Sequence, residues 1–150
     1  MRIALDTNIL VCAEGVGEKK KHNLALGLIE RIENDNIIIP AQTLGELYRV
    51  LTAKAGRTPT AARESILGWA DSFEIADSTW NAFQSAFDLS TAHQIQIWDA
   101  LVISVSAETH CRILLSEDLQ DGSVWRGVTV ANPFLDPPHA LLEQILLTDS

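Results

Sequence analysis

The chain has 150 residues, 47% of them hydrophobic, which suits one compact domain, and a formal net charge of −9. No apolar run approaches the roughly 20 residues of a membrane helix, and the opening MRIALDTN lacks the basic stretch and long apolar segment of a secretory leader. Cys12 and Cys111 are too few for a disulfide framework and stand in no metal-ligand spacing, so both are expected to be buried thiols in a reducing cytoplasm.

Residues 2–6 (RIALD) read as a buried strand that ends on an acid, with Thr7 and Asn8 beginning a polar turn. Over 22–34, Ala25, Leu28, Ile29 and Ile32 fall on one face at helical spacing. A second strand, 37–40, is stopped by Pro40. Residues 42–55 then form a helix with Leu44, Leu47, Tyr48 and Leu51 on its apolar side. Thr58 and Pro59 are an N-cap and a first-turn proline, opening a helix that runs to about Trp69.

Residues 73–76 (FEIA) make a third strand, and Asp77 or Ser78 caps a helix expected to bury Trp80, Phe83 and Phe87. Residues 98–110 are too long an apolar run for a strand and read as a helix. The runs at 112–115 and 128–131 complete the strands, and 137–147 form a last amphipathic helix with Pro137 or Pro138 near its first turn. Strands alternating with helices predict a single α/β domain over 1–150, a three-layer sandwich around a mostly parallel sheet of about five strands.

Ligands of such sheets bind beyond the carboxyl ends of the strands. Two apolar strands end in acids there: Asp6 after IAL, and Asp118 in the run ILL-Ser116-Glu117-Asp118. Parallel central strands bring Asp6 and Asp118 to one edge. Asp99 opens a helix, where the helix dipole alone favours an acid. Glu46 lies about opposite the leucine stripe of its helix, so it is either a plain solvent-facing glutamate or the polar border of a cleft. Converging carboxylates repel one another unless a cation joins them. Oxygen donors select Mg2+ or Mn2+, and His22, His93, His110 and His139 are too scattered to offer a zinc site.

Charge is unevenly spread. Residues 1–63 carry nine basic and seven acidic side chains; residues 64–150 carry two basic and thirteen acidic. Phosphate contacts are made by Lys and Arg, so Lys19, Lys20, Lys21, Arg49, Lys54, Arg57 and Arg63 are the plentiful candidates, each equally readable as a solvated surface charge.

The stretches ALDTNIL (4–10), TLGELYRVL (43–51), IWDALVISVSAETHCRILLSEDLQDG (97–122) and VTVANPF (128–134) together resemble PIN-domain ribonucleases of the VapC toxin type. The resemblance spans roughly residues 2–135. It implies that Asp6, Glu46, Asp99 and Asp118 are the metal-binding, catalytic acids, with Asn8 and Ser116 orienting them. It also implies an Mg2+-dependent endoribonuclease that cuts structured RNA, tRNA or rRNA, with an antitoxin as partner. Homodimers are implied too, joined through helices near the second strand. Asp121 reads as a turn residue beside Gly122, with support of a second metal as the other reading. Glu117 alternates with its neighbours and is expected to point away from the cleft.

Other readings fit less well. A receiver-type signalling domain needs a lysine late in the chain, and none follows Lys54; a haloacid-dehalogenase-type phosphatase needs a second acid where Asn8 stands. A catalytically silent PIN-like module that binds a partner is the alternative, opposed by the presence of all four acids.

Overall fold

A computed structural model describes residues 1–148. Its six strands are β1 (Arg2–Leu5), β2 (Ile37–Pro40), β3 (Glu74–Ala76), β4 (Cys111–Leu115), β5 (Val124–Trp125) and β6 (Val128–Ala131). They lie in the order β3-β2-β1-β4-β6-β5, parallel throughout except for the antiparallel β5–β6 pair. That hairpin strand is the one the sequence does not reveal, since two residues carry no readable period. Around the sheet pack α1 (Thr7–Ala13), α2 (Lys19–Arg31), α3 (Ala41–Ala53), α4 (Pro59–Ser72), α5 (Trp80–His93), α6 (Ile97–Glu108) and α7 (Ala140–Thr148).

Strand alternation sorts the core into two halves. Ile3, Leu5, Ile37, Ile39, Ile113 and Leu115 face one apolar cluster, with Ile9, Leu10, Leu47 and Leu51 from α1 and α3. Ala4, Ile38 and Leu114 face the other, with Ala82, Ala86, Leu89 and Leu101 from α5 and α6. The result is a helix–sheet–helix sandwich. Cys12 and Cys111 are buried and free, and among the described residues no helix is long and apolar enough to cross a membrane.

Several local expectations are corrected. Thr7 and Asn8 open α1 rather than a turn, because Asp6 caps the helix by accepting from Thr7 N at 2.8 Å. The 22–34 helix starts three residues early, at Lys19, with Glu18 as its cap residue after a Gly15–Gly17 break of positive φ (84° and 95°). It ends at Arg31, leaving Ile32 buried beyond it. Thr79, not Asp77 or Ser78, caps α5 through Ala82 N, at 3.0 Å.

The face of α5 is also shifted: of the three aromatics expected inside, only Phe83 packs against the core, half-buried. Ala82, Ser85, Ala86 and Leu89 are buried, while Trp80 and Phe87 are exposed, 67% and 46%. Small residues let α5 pack closely on α6, and the larger aromatics are left outside. Tyr48 is likewise exposed, because Thr43 completes the buried side of α3 with Leu44, Leu47 and Leu51. Pro137 and Pro138 precede α7 rather than entering it.

Candidate active site

The chain leaves β1 for β2 on one side and returns to β4 on the other, so the sheet order reverses between β1 and β4. Leu5 and Leu115 are paired in register, and Asp6 N donates to Leu115 O at 3.0 Å. Asp6 and Ser116 are therefore the first residues beyond the two central strand ends. Ser116 Oγ donates to Asp6 Oδ2 at 2.8 Å and accepts from Asp118 N at 3.3 Å. Asn8 Nδ2 lies between Asp6 Oδ2, Ser116 Oγ and Asp118 Oδ2, at 3.2–3.3 Å from each. Asn8 Oδ1 accepts from Glu117 N at 3.0 Å, which pins the loop carrying Asp118.

The opposite wall comes from two helix starts. α3 begins directly after β2, and its sixth residue, Glu46, accepts from Thr7 Oγ1 and from Gln42 Nε2, each at 2.7 Å. Its solvent-facing side thus borders the cleft. Gln42 Nε2 also lies 3.2 Å from the carbonyl of Trp98, which ties α3 to the start of α6. Gln96 caps α6, its Oε1 accepting from Trp98 N and Asp99 N at 2.9 and 3.1 Å. Thr7 and Gln42 belong to the site although the sequence reading passed over them. Gln42 had one signal, its place a helical turn before Glu46 on the same face.

The carboxylates feel one another. Burial pushes the Asp6 carboxyl up to about 6, against the pull of its Ser116 and Thr7 hydrogen bonds, and Glu46 and Asp99 add repulsion. Asp99 is raised too, by desolvation and then by Glu46 and Asp118. Among the described residues no three acidic, histidine or cysteine side chains are grouped closely enough to hold one ion between them. The donor set nonetheless fits Mg2+ in kind. It is all oxygen and carries excess negative charge, and Gln42 Oε1 is a buried acceptor with no partner among the described residues. Mg2+ needs only one or two carboxylates because it keeps several waters.

The Thr7–Glu46 contact divides two clefts. One, of about 490 Å3, is lined by Asn8, Lys21, Lys54, Glu117 and Asp118; the other, of about 540 Å3, by Arg49, Lys54, Gln96, Trp98 and Asp99. Lys21, Arg49 and Lys54 are thus placed beside the acids. Arg57 is not available as a phosphate partner. Its guanidinium is held by the Glu14 carboxylate and carbonyl, and the same carboxylate accepts from Trp69 Nε1. Lys20 lines a separate groove between α2 and residues 133–138, and Lys19 is an exposed residue at the start of α2.

Glu117 faces the cleft and not away from it. Strand alternation ends at Leu115, and the carboxylate pairs with Lys21 Nζ at 2.7 Å. Asp121 serves its turn, accepting from Asn132 N at 2.7 Å.

A family model described as the PIN domain matches residues 3–120. No curated protein is a significant sequence match. Solved structures with a similar fold include VapC20 of Mycobacterium tuberculosis, a sarcin–ricin loop cleaving toxin. It is 16% identical, with 75% of this chain and 86% of that one covered and a TM-score of 0.64. A toxin–antitoxin complex from Klebsiella pneumoniae is 18% identical, covering 88% and 98% at a TM-score of 0.66. VapBC2 from Rickettsia felis, bound to a DNA fragment from its promoter, is 18% identical, covering 87% and 97% at a TM-score of 0.64. At these identities the likeness is one of fold.

Proposed function

The chain belongs to the PIN domain family, and from that premise we propose that it is a metal-dependent endoribonuclease acting as the toxin of a toxin–antitoxin pair. One observation carries the reading. Asp6, Glu46, Asp99 and Asp118 come from four separate elements to one sheet edge, where the burial of Asp6, the partial desolvation of Asp99 and repulsion from the neighbouring acids raise both carboxyls.

Asp6 and Asp118, held by Asn8 and Ser116, form the fixed pair that would hold Mg2+ or Mn2+, with Asp99 completing the site through water. When bound, such an ion supplies an activated water and neutralises charge on the phosphodiester oxygens. Glu46, positioned by Thr7 and Gln42, stands across the cleft to orient the attacking water. Arg49 and Lys54 hold the flanking phosphates of an RNA strand, tRNA or rRNA being the expected class, and Lys21 joins them only by giving up its pairing with Glu117.

The neighbours that are toxin–antitoxin assemblies support an antitoxin as partner; a homodimer in the cytoplasm is the further expectation carried by the family resemblance alone. Cleavage of total RNA by the wild type and by Asp6→Asn, with Mg2+, Mn2+ or chelator, tests the chemistry. The expected result is cleavage that needs the metal and vanishes in the variant. Equal cleavage by both proteins would remove Asp6 from the mechanism. No cleavage by either, with binding of a co-expressed small partner retained, would leave the silent binding module.

A further inference from the structure

We propose that the cleft beside Asp99 is a nucleobase subsite, in which the indole of Trp98 stacks on the unpaired base next to the scissile phosphate. This rests on the nuclease reading for its substrate, and adds the single-stranded character of that substrate and the residue that selects it.

Trp98 is the residue immediately before Asp99, yet it leaves 51% of its surface in solvent. Its ring has one aromatic neighbour among the described residues, Phe83, at 6.5 Å and 82°. An exposed tryptophan in a cleft is a ready π-surface, and every base has a π-face to lay on it. Its backbone is held from both sides, Trp98 N by Gln96 Oε1 and Trp98 O by Gln42 Nε2. Because Gln42 also holds Glu46, the backbone that carries the indole is fixed relative to the acids that would work on the phosphate.

The rest of the cleft suits a nucleotide. Arg49 and Lys54 line it, and neither forms an ion pair among the described residues, so both are free for phosphate oxygens. Gln96 spends Oε1 on its cap, and its Nε2 has no partner among the described residues, leaving a donor for a base edge. The cleft on the far side of Glu46 has cations but no aromatic lining. Stacking is therefore expected on one side of the cut only.

The net charge is compatible with such a contact. With a net charge of −9 the chain attracts phosphates weakly over long range. Stacking is indifferent to that charge and contributes on the order of 5- to 100-fold per base.

The test uses equilibrium binding of a short single-stranded RNA to the full chain carrying Asp118→Asn, alone and with Trp98→Ala, Trp98→Phe or Trp80→Ala. Substrates with an abasic nucleotide at each position in turn locate the stacked base. Trp98→Ala is expected to weaken binding about 5- to 100-fold, with Trp98→Phe close to the parent and Trp80→Ala unchanged. One abasic position should cost the same factor in the parent and nothing further in Trp98→Ala.

A flat abasic scan, or equal losses in Trp98→Ala and Trp80→Ala together with a smaller sedimenting species, overturns the proposal; the second pattern marks an aromatic contact between copies of the chain. RNA binding that depends on Trp98, with no cleavage by the wild type, keeps the subsite and removes the nuclease reading. Cleavage indifferent to Trp98 does the reverse, and absence of all RNA binding removes both.

Discussion

On the strand side of the cleft, Asp6 is 7% exposed and its carboxylate is ringed by Thr7, Asn8 and Ser116. On the helix side, Glu46 and Asp99 are open to solvent, and among the described residues Glu46 is held only by the side chains of Thr7 and Gln42. The strand wall is set by the ladder itself, because Leu5 and Leu115 are in register and the next residue on each strand has nowhere else to go. The helix wall depends on how α3 and α6 sit against each other, with one Gln42 bridge between them. One wall is preorganised at a cost in desolvation, and the other is positioned loosely enough to adjust around a substrate.

Substitutions should separate the two walls. The largest effect is expected from Asp6→Asn, about a thousandfold loss of metal-dependent RNA cleavage measured in single turnover. Ser116→Ala comes next. It leaves a buried carboxylate without one of its two shortest hydrogen bonds and should cost about 10- to 100-fold in activity or in the Mg2+ concentration needed. Thr7→Val, which releases Glu46 on the open wall, should cost under about tenfold by the same measure. If the Thr7 variant is the more damaged, the division between a fixed and an adjustable wall is wrong.

Acidity gives a third handle. The Asp6 carboxyl sits at about 6 in the folded chain and 3.8 ordinarily, so the folded state holds the extra proton between those values. Metal-free stability should therefore fall as pH rises from about 4 to about 6, by at most about 3 kcal/mol. Added Mg2+ should return that stability at pH 7, since it favours the ionised form. Denaturant titrations at pH 5 and pH 7, in chelator and in Mg2+, read this directly, and a metal-free protein more stable at pH 7 would contradict it.

The smallest change concerns a region away from both walls. Arg57→Ala removes the guanidinium that links Glu14 to Ser65 in the middle of α4, and should cost about 2 kcal/mol of stability with cleavage unchanged. A loss of cleavage larger than its loss of stability would return Arg57 to the substrate path.

How much of this was legible depends on which signals are local. Strands β1, β2, β3, β4 and β6 were read from short apolar runs, and Thr58-Pro59 marked the start of α4 correctly, because caps and first-turn prolines act within a few residues. α1 was missed because its seven residues, TNILVCA, are too few to show a helical period. α5 was found but its buried face was only partly right, since Phe83 packs on the core while Trp80 and Phe87 do not. Trp80, Phe83 and Phe87 share one helical face, and Ala82, Ala86 and Leu89 share another, so periodicity permits either to be buried.

The same distinction holds at the site. Sequence alone determined which acids end the central strands, because an apolar run followed by an acid marks where the chain leaves the core. It also determined that the basic residues are concentrated in the first part of the chain, nine of the eleven falling within residues 1–63. Tertiary structure decided the rest: that the polar side of α3 borders the cleft, that Glu117 faces inward to Lys21, that Arg57 is committed to Glu14, and that Trp98 is left exposed beside Asp99. Each of these turns on where two distant elements meet, and a residue's neighbours across space leave no mark in its neighbours along the chain.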